Sequence, residues 1–151
     1  MIKIITVGNI KEKYLKEAIA EYKKRITRYT SIEIIEVSDE GLVDKETALK
    51  LESKKIKKHL NNKDYIIALE IEGKNYSSEE FANKLDKILI ESSTITFIIG
   101  GSYGLSNDIK ETARMHLSFS RMTFPHQLFR VLLLEQIYRS FKINNNESYH
   151  K

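Results

Sequence analysis

The sequence has no cysteine and no tryptophan, and it has a single proline and six glycines among 151 residues. The absence of cysteine excludes disulfides and thiolate metal sites and fits a reducing compartment, so we expect a cytoplasmic protein. No apolar run approaches the roughly 20 residues of a membrane-spanning helix, and the apolar part of the N-terminal segment is too short for a signal peptide. The length predicts one domain, residues 1–151, with a full core.

The formal net charge is +4, and the excess of lysine and arginine is uneven along the chain. Residues 11–28 contain seven basic side chains against three glutamates. Such a bias favours an anionic partner such as RNA. Surface lysines that only keep the protein soluble explain the same count, so charge alone leaves both interpretations open.

The glycines and the proline are concentrated around two predicted strand ends. Three of the six glycines lie between Gly100 and Gly104, directly after the apolar run 95–99. A second strand-like run, 117–120, leads to Pro125, which begins the most apolar helix of the chain. Glycines after a strand let peptide N–H groups approach a ligand closely. Two such turns indicate a small-molecule pocket built largely from main chain.

Apolar periodicity predicts strands that alternate with helices from one end of the chain to the other. The predicted strands are 2–7, 32–37, 64–71, 94–99 and 116–120, and the predicted helices are 12–28, 44–60, one that follows Ser77, 106–114 and 125–143. Asp44 and Ser106 are expected to cap helices, and Ser77 with Glu80 fits a capping box. This alternation predicts an α/β fold, a mostly parallel sheet with helices on both faces. The fourth strand, the most apolar, is expected at the centre.

The last predicted helix is apolar nearly all round, because few polar residues interrupt the run from Leu128 to Phe141. A helix of this kind is buried on most sides. An outer helix of a small α/β domain covers the sheet with one face only, so its second face is expected to meet another subunit in a symmetric homodimer. The alternative is a monomer that buries the helix between sheet and loops.

Several common sites are excluded by their missing motifs. The glycine turn does not match the dinucleotide fingerprint, and neither a phosphate-binding P-loop nor a hydrolase nucleophile elbow is present. The four histidines lack metal-ligand spacing, so no metal site is expected. A pocket without thiol, metal or electrophile suits a bound cofactor that supplies the reactive group, and S-adenosylmethionine fits. The alternatives are an RNA-binding module without turnover and a doubly wound nucleotide-binding enzyme of another class.

Three stretches, 97–105, 117–127 and 135–139, together with the ending 149–151, resemble the ribosomal RNA large-subunit methyltransferase H (RlmH) family of the SPOUT class. The resemblance covers essentially the whole chain. It implies S-adenosylmethionine-dependent methylation of N3 of a pseudouridine in large-subunit (23S) ribosomal RNA. The assembled ribosome is the expected substrate, and the residues themselves leave free RNA as the alternative. The resemblance also implies a homodimer and a deep trefoil knot at the C-terminal end, which general topology rules would not suggest.

The resemblance also implies the residues of a cofactor pocket at the ends of strands three, four and five. These residues are Leu69, Gly100, Phe119, Ser120, Arg121, Met122, Thr123 and Phe124. Parallel α/β sheets bind ligands beyond the carboxyl ends of their strands, which agrees with this assignment. Taken singly, each residue has an ordinary alternative role, such as core packing for Leu69 or a tight turn for Gly100.

The substrate side is expected to involve His150, Tyr149 and Arg130. N3 of a uracil-type base carries a proton that must leave, and a histidine suits proton removal near neutral pH. His150 is therefore the candidate base, and Tyr149 is a candidate to stack on a base. The alternative is a frayed terminus. In a dimer, this tail is expected to complete the pocket of the partner.

Arg130 keeps two interpretations, and His126 has only a supporting role. Arg130 is expected to contact a phosphate or the developing uracil anion, or else to pair with Glu135. His126, directly after Pro125, is expected at most to order the cofactor loop.

Overall fold

The computed structural model describes all 151 residues and contains one five-stranded sheet flanked by helices. The strands are β1 (Ile2–Val7), β2 (Ile32–Val37), β3 (Tyr65–Asn75), β4 (Ile95–Ile99) and β5 (Met115–Ser118). The helices are α1 (Lys13–Ile26), α2 (Lys45–Lys57), α3 (Ser78–Glu91), α4 (Asn107–Thr112) and α5 (His126–Asn144). The strand order is β2-β1-β4-β3-β5, and every neighbouring pair is parallel. The predicted α/β fold is confirmed.

β4 lies at the centre of the sheet, as its apolar sequence predicted. All five of its residues are buried, and successive side chains point to opposite faces. Phe97 belongs to the larger core cluster, with residues of α1, α3 and α5, whereas Ile98 belongs to a smaller cluster with residues of α2 and α4. The two clusters show that helices cover both faces of the sheet.

Two of the three predicted helix caps, those of α2 and α3, form in the structure. The Asp44 carboxylate accepts a hydrogen bond from the Thr47 N–H at 3.0 Å, and Ser77 and Glu80 form the complete capping box. Ser106 occupies the corresponding position before α4 but makes no capping bond to the helix backbone. Its hydroxyl bonds the side chain of Asp108 instead, so that part of the prediction is wrong.

β3 extends to Asn75, beyond the predicted end of the third strand. Leu117 of β5 pairs with both Leu69 and Lys74, so β3 makes an irregularity there and then continues. Gly73 sits at this irregularity, where a Cβ would lie only 2.7 Å from the carbonyl carbon of Leu117. Because glycine has no Cβ, β3 and β5 can pass closely at this point. β3 therefore continues through Gly73, where the sequence predicted its end.

α5 packs against α1 and α3 and contributes five large buried side chains to the larger core cluster. They are Leu133, Leu134, Ile137, Tyr138 and Phe141. Val131 and Leu132 are only partly covered, and Leu128 is 39% exposed. None of the five helices is long and apolar enough to cross a membrane. The homodimer and the trefoil knot stay predictions.

Candidate functional site

A cavity of about 950 Å³ lies at the carboxyl ends of β4 and β5 and beside residues 69–72 in the middle of β3, which continues past the predicted strand end. Seven of the eight predicted cofactor residues line it together: Leu69, Gly100, Phe119, Ser120, Met122, Thr123 and Phe124. Arg121 does not line the cavity and is exposed. The position agrees with the general rule for parallel sheets, since crossover connections leave a crevice where the strands end.

The segment 119–124, which joins β5 to α5, contributes five of its six residues to the lining of this cavity. None of its N–H or carbonyl groups bonds to another backbone group. Two hydroxyls shape the segment: Ser118 Oγ donates to the Ser120 carbonyl, and the Met122 N–H donates to Ser120 Oγ, both at 3.0 Å. The remaining donors and acceptors are available to a ligand, because backbone polar groups that lack a partner seek one.

Aromatic side chains form one wall of the cavity. The rings of Phe119 and Phe129 meet edge to face with centroids 4.8 Å apart, and Phe124 stacks on Phe129 at 6.2 Å. Leu69 and Phe119 also pack against the larger core cluster, so they have both the packing role and a place in the site. This wall suits a flat heterocycle flanked by peptide groups.

The glycine turn after β4 forms another side of the cavity. The Gly104 N–H donates to the Gly101 carbonyl at 3.0 Å, and Gly104 has a φ of 76°, in the left-handed region. A Cβ on Gly100 would lie 2.4 Å from the Gly104 carbonyl oxygen. The requirement for glycine at Gly100 therefore comes from the turn itself, and the turn shapes the cavity.

A buried carboxylate lies behind this turn, and no pattern in the sequence indicated it. Glu52 of α2 is only 4% exposed, and its Oε2 accepts the Glu40 N–H at 2.9 Å. Its Oε1 has no hydrogen-bond partner and lies 3.9 Å from where a Cβ on Gly101 would be. Burial raises the pKa of Glu52, and the nearby Asp39 charge adds to the increase.

His126, at the start of α5, lines the cavity next to the end of β1. Its Nε2 lies 3.5 Å from the position of a Cβ on Gly8, a glycine with φ of 90°. Burial lowers the pKa of His126, and the Arg130 charge lowers it further. The neutral imidazole is therefore favoured at neutral pH, which suits hydrogen bonding at the cavity edge.

Arg130 lies beneath His126 and outside the cavity lining. The residue is 2% exposed, and its Nη2 donates to the Gly8 carbonyl at 2.7 Å. Its ion-pair partner is Glu36, so the alternative of pairing with Glu135 is wrong. Glu135 pairs with Arg139 one turn further along α5, at 2.5 Å.

The C-terminal tail is packed on α5 and does not line the cavity of its own chain. The Tyr149 hydroxyl donates to Glu135 at 3.0 Å, and burial together with this carboxylate raises the pKa of Tyr149 to about 12. Tyr149 is therefore a neutral phenol at neutral pH. Its ring meets that of Tyr138 edge to face at 4.9 Å.

Both ring nitrogens of His150 have partners. Nδ1 lies 3.0 Å from Arg139 Nη1, which is a donor only, and Nε2 lies 2.7 Å from Glu79 Oε1. These partners assign the tautomer with the proton on Nε2. The bond from His150 lowers the pKa of Glu79. The tail thus has specific contacts, contrary to the alternative of a frayed end.

Further cavity residues come from α2 and from the middle of β3, and the sequence did not predict them. Lys45, Glu46, Leu49 and Lys50 of α2 belong to the cavity lining. Glu70, which follows Leu69, is paired with Lys110 at 3.3 Å and contacts His116. No group of three or more side chains in the structure is arranged to hold a metal ion.

Comparison with known proteins agrees with this geometry. A family model described as "Predicted SPOUT methyltransferase" matches residues 1–150. A protein of Methanococcus maripaludis (strain C5) is 55% identical to this chain over 99% of both chains. The "Ribosomal RNA large subunit methyltransferase H" proteins of Streptococcus uberis and Streptococcus pneumoniae (strain CGSP14) are 52% and 49% identical, again over 99% of both chains. The similarity includes both the cavity and the tail.

Proposed function

The chain belongs to the SPOUT methyltransferase family, and from this premise we propose that it methylates N3 of a pseudouridine in large-subunit (23S) ribosomal RNA, with S-adenosylmethionine as donor. We propose the assembled ribosome as the substrate and the cytoplasm as the location. The observation that carries the proposal is one cavity that Leu69 of β3, Gly100 after β4 and Met122 after β5 line together.

The residues around the cavity fit S-adenosylmethionine. The unpaired peptide groups of 119–124 match the donors and acceptors of an adenine, and the wall of Phe119, Phe124 and Phe129 matches its faces. When bound, the sulfonium supplies an activated methyl group, so that the protein mainly holds a nucleophile in line with it. The Gly100–Gly104 turn and the loop 119–124 would hold the cofactor.

The substrate side requires a group that accepts the N3 proton, and we propose His150 for this step. Its Nδ1 carries the free electron pair of the assigned tautomer, and that electron pair accepts from Arg139. If the Nδ1 atom of His150 separates from Arg139, it becomes available as a base. This base would lie next to the neutral phenol of Tyr149, whose ring is suited to stack on RNA. Arg139 would then be free to face an anion.

The tail lies outside the cavity of its own chain, which supports a composite site. We propose a homodimer in which Tyr149 and His150 of one subunit complete the cavity of the other. The partly covered apolar residues of α5, Leu128, Val131 and Leu132, offer a surface for the second subunit. A monomer would then bind the cofactor without transferring its methyl group.

The burial of Arg130 favours a positioning role over direct contact with RNA. It bonds the Val7 and Gly8 carbonyls and so holds the end of β1 beside the cavity. His126 stands above it at the cavity edge. We propose that this pair fixes the start of α5 relative to the sheet.

The two other functions weighed from the sequence have less support. An RNA-binding module would not need a cavity with free peptide groups, and a nucleotide-binding enzyme of another class would need a phosphate cradle. Calorimetry separates the three functions. Micromolar binding of S-adenosylmethionine supports the proposal, whereas binding of a nucleotide triphosphate with no response to S-adenosylmethionine contradicts it.

The decisive experiment is mass spectrometry of ribosomal RNA from cells that lack this protein. We expect one methyl group to be missing from a pseudouridine of the large-subunit RNA. Purified protein and S-adenosylmethionine should restore it on ribosomes from these cells. An unchanged modification pattern would refute the proposed function.

A further inference from the structure

A second groove, separate from the cofactor cavity, lies between the end of β3 and the first turns of α3. Its volume is about 650 Å³, and its lining is almost entirely polar. We call it the Lys74 groove, after the lining residues Lys74, Tyr76, Glu79, Glu80, Lys84 and Lys87. The predicted site did not include any of them.

The three lysines of the groove have no carboxylate partners. Neither Lys74, Lys84 nor Lys87 takes part in an ion pair or donates a side-chain hydrogen bond within the chain. The ammonium group of Lys74 lies 5.1 Å from the ring centroid of Tyr76, a half-buried aromatic residue. The groove therefore combines three unpaired cations with an aromatic ring.

The two carboxylates of the groove are already engaged. Glu80 Oε2 accepts the Ser77 N–H at 2.9 Å in the capping box, and Glu79 Oε1 holds the imidazole of His150. Both also lie in the first turn of α3, where the helix dipole favours negative charge. The charged groups of the groove that are free to bind a ligand are therefore its three lysines.

The groove is connected to the cofactor cavity and to the tail. Asn75 Nδ2 donates to the Ser118 carbonyl at 2.9 Å, and Ser118 lines the cofactor cavity. On its other side, Glu79 holds His150. A polynucleotide strand in the groove would therefore lie next to the cofactor cavity of its own subunit and beside the tail that, in the proposed homodimer, serves the partner's cavity.

We propose that the Lys74 groove binds the RNA backbone next to the target nucleotide, with Lys74, Lys84 and Lys87 on phosphates and Tyr76 against a base. The inference rests on the proposed function, because it names the substrate-binding surface of that same enzyme. Unpaired lysines that follow a groove with an aromatic residue are the general pattern of single-strand RNA binding. The ligand is a polyanion, since the three cations spread along a groove match several phosphates.

The test replaces all three groove lysines with glutamine, as K74Q/K84Q/K87Q. The matched control is K54Q/K58Q/K63Q, which removes three exposed and equally unpaired lysines from α2 and the turn after it. Both variants lower the formal net charge from +4 to +1. All six side chains lie on the surface or only partly covered, so both variants should fold, which circular dichroism checks.

Filter retention of radiolabelled large-subunit ribosomal RNA gives the dissociation constant at several KCl concentrations. We expect the groove variant to bind about tenfold more weakly at 0.1 M KCl, and its salt slope to fall by about 2, because three phosphate contacts to a single strand are lost. The control should stay within about twofold of the wild type. In methyl transfer to ribosomes, the KM for ribosomes should rise while kcat and S-adenosylmethionine binding stay unchanged.

Equal weakening in both triple variants would show a general charge effect and overturn the inference, as would wild-type affinity in the groove variant. Weaker binding to ribosomes with unchanged binding to isolated RNA would indicate a protein contact and also overturn it. A wild type that binds RNA but transfers no methyl group would contradict the proposed function alone. The filter-retention data would still test whether the Lys74 groove binds RNA.

Tyr76 provides a second, uncharged test. Tyr76→Leu removes the ring and should weaken RNA binding at least fivefold, since stacking on one base is lost. Tyr76→Phe keeps the ring and should bind as the wild type does. Equal affinities of the two variants would remove Tyr76 from the RNA-binding surface.

Discussion

Arg130 of α5 donates through Nη1 to Glu36 Oε2 at 2.8 Å, although the two residues are 94 positions apart in the chain. The same guanidinium bonds the carbonyl of Gly8. The last helix is thus fastened to the ends of β1 and β2 by one buried side chain. The end of β1 lies next to His126, which lines the cofactor cavity, so the contact links the stability of the fold with the shape of the site.

Replacing Arg130 with methionine should lower the free energy of unfolding by about 2 to 4 kcal/mol. The substitution leaves the carbonyl of Gly8 buried without a donor and removes the partner of Glu36. Urea unfolding followed by circular dichroism measures the loss. Arg28→Met, at an exposed arginine without an ion pair, should change stability by less than about 0.5 kcal/mol. A loss this small in Arg130→Met would contradict the fastening role.

Gly100→Ala should weaken S-adenosylmethionine binding at least tenfold. A Cβ at this position would lie 2.4 Å from the Gly104 carbonyl oxygen, so the turn after β4 has to open. Isothermal titration calorimetry measures the affinity. Gly41→Ala is the control, because a Cβ there meets only the Asp39 carboxylate at 3.4 Å. Wild-type affinity in Gly100→Ala would show that the turn does not shape the cofactor site.

Much of the fold could be predicted from local patterns. The apolar run of β4 indicated a central strand, and the cap at Asp44 and the capping box of Ser77 were visible as residue types at fixed spacing. The extension of β3 to Asn75 was not visible, because it depends on how closely β5 passes Gly73. Sequence patterns predict structure that depends on residues close together in the chain. The extension of β3 depends on β5, which is distant in the chain.

The candidate site divides in the same way. The resemblance implied a pocket of Leu69, Gly100 and the loop 119–124, and the rule for parallel sheets agreed with it. All of these residues except Arg121 line the cavity. The contribution of α2 and the burial of Glu52 did not follow, since charged residues on a helix are usually solvated. The position of the tail depends on side-chain contacts with α3 and α5, which no spacing in the sequence encodes.

His150→Ala should keep S-adenosylmethionine binding and lose at least 100-fold in methyl transfer to ribosomes. We assign cofactor binding to the Gly100–Gly104 turn and the loop 119–124 and proton removal to His150, and general base catalysis typically contributes a factor of about 10² to 10⁴. Tritium transfer from labelled S-adenosylmethionine measures the rate. His59→Ala, at an exposed histidine after α2, should be fully active. Full activity in His150→Ala would exclude this residue as the base.

Glu52→Gln should stabilise the protein at pH 8 and leave its stability unchanged at pH 4. Burial raises the pKa of Glu52 above its ordinary value of 4.5 in the folded chain. Between these two pKa values the folded state holds a proton that the unfolded state has released, so stability falls as the pH rises through this window. Glutamine keeps an oxygen for the Glu40 N–H and carries no charge.

Urea unfolding at the two pH values checks this prediction. Glu111→Gln, at an exposed glutamate of α4 without an ion pair, should behave as the wild type at both. A parallel shift of Glu52→Gln at pH 4 and pH 8 would show that the change in packing, rather than the buried charge, causes the effect.

Asp44→Ala should lower the free energy of unfolding, because the Thr47 N–H at the start of α2 loses its acceptor. Hydrogen bonds from Thr47 also lower the pKa of Asp44, so the cap contributes stability above the ordinary pKa of 3.8 and loses it as the pH falls through the lowered value.

Ser106→Ala is the matched substitution, at a cap position whose hydroxyl bonds Asp108 and no backbone N–H of the helix. It should cost less than about 0.5 kcal/mol. Urea unfolding at pH 7 measures both losses of stability. Equal losses in the two variants would show that the effect of Asp44→Ala does not come from the lost hydrogen bond to the helix backbone.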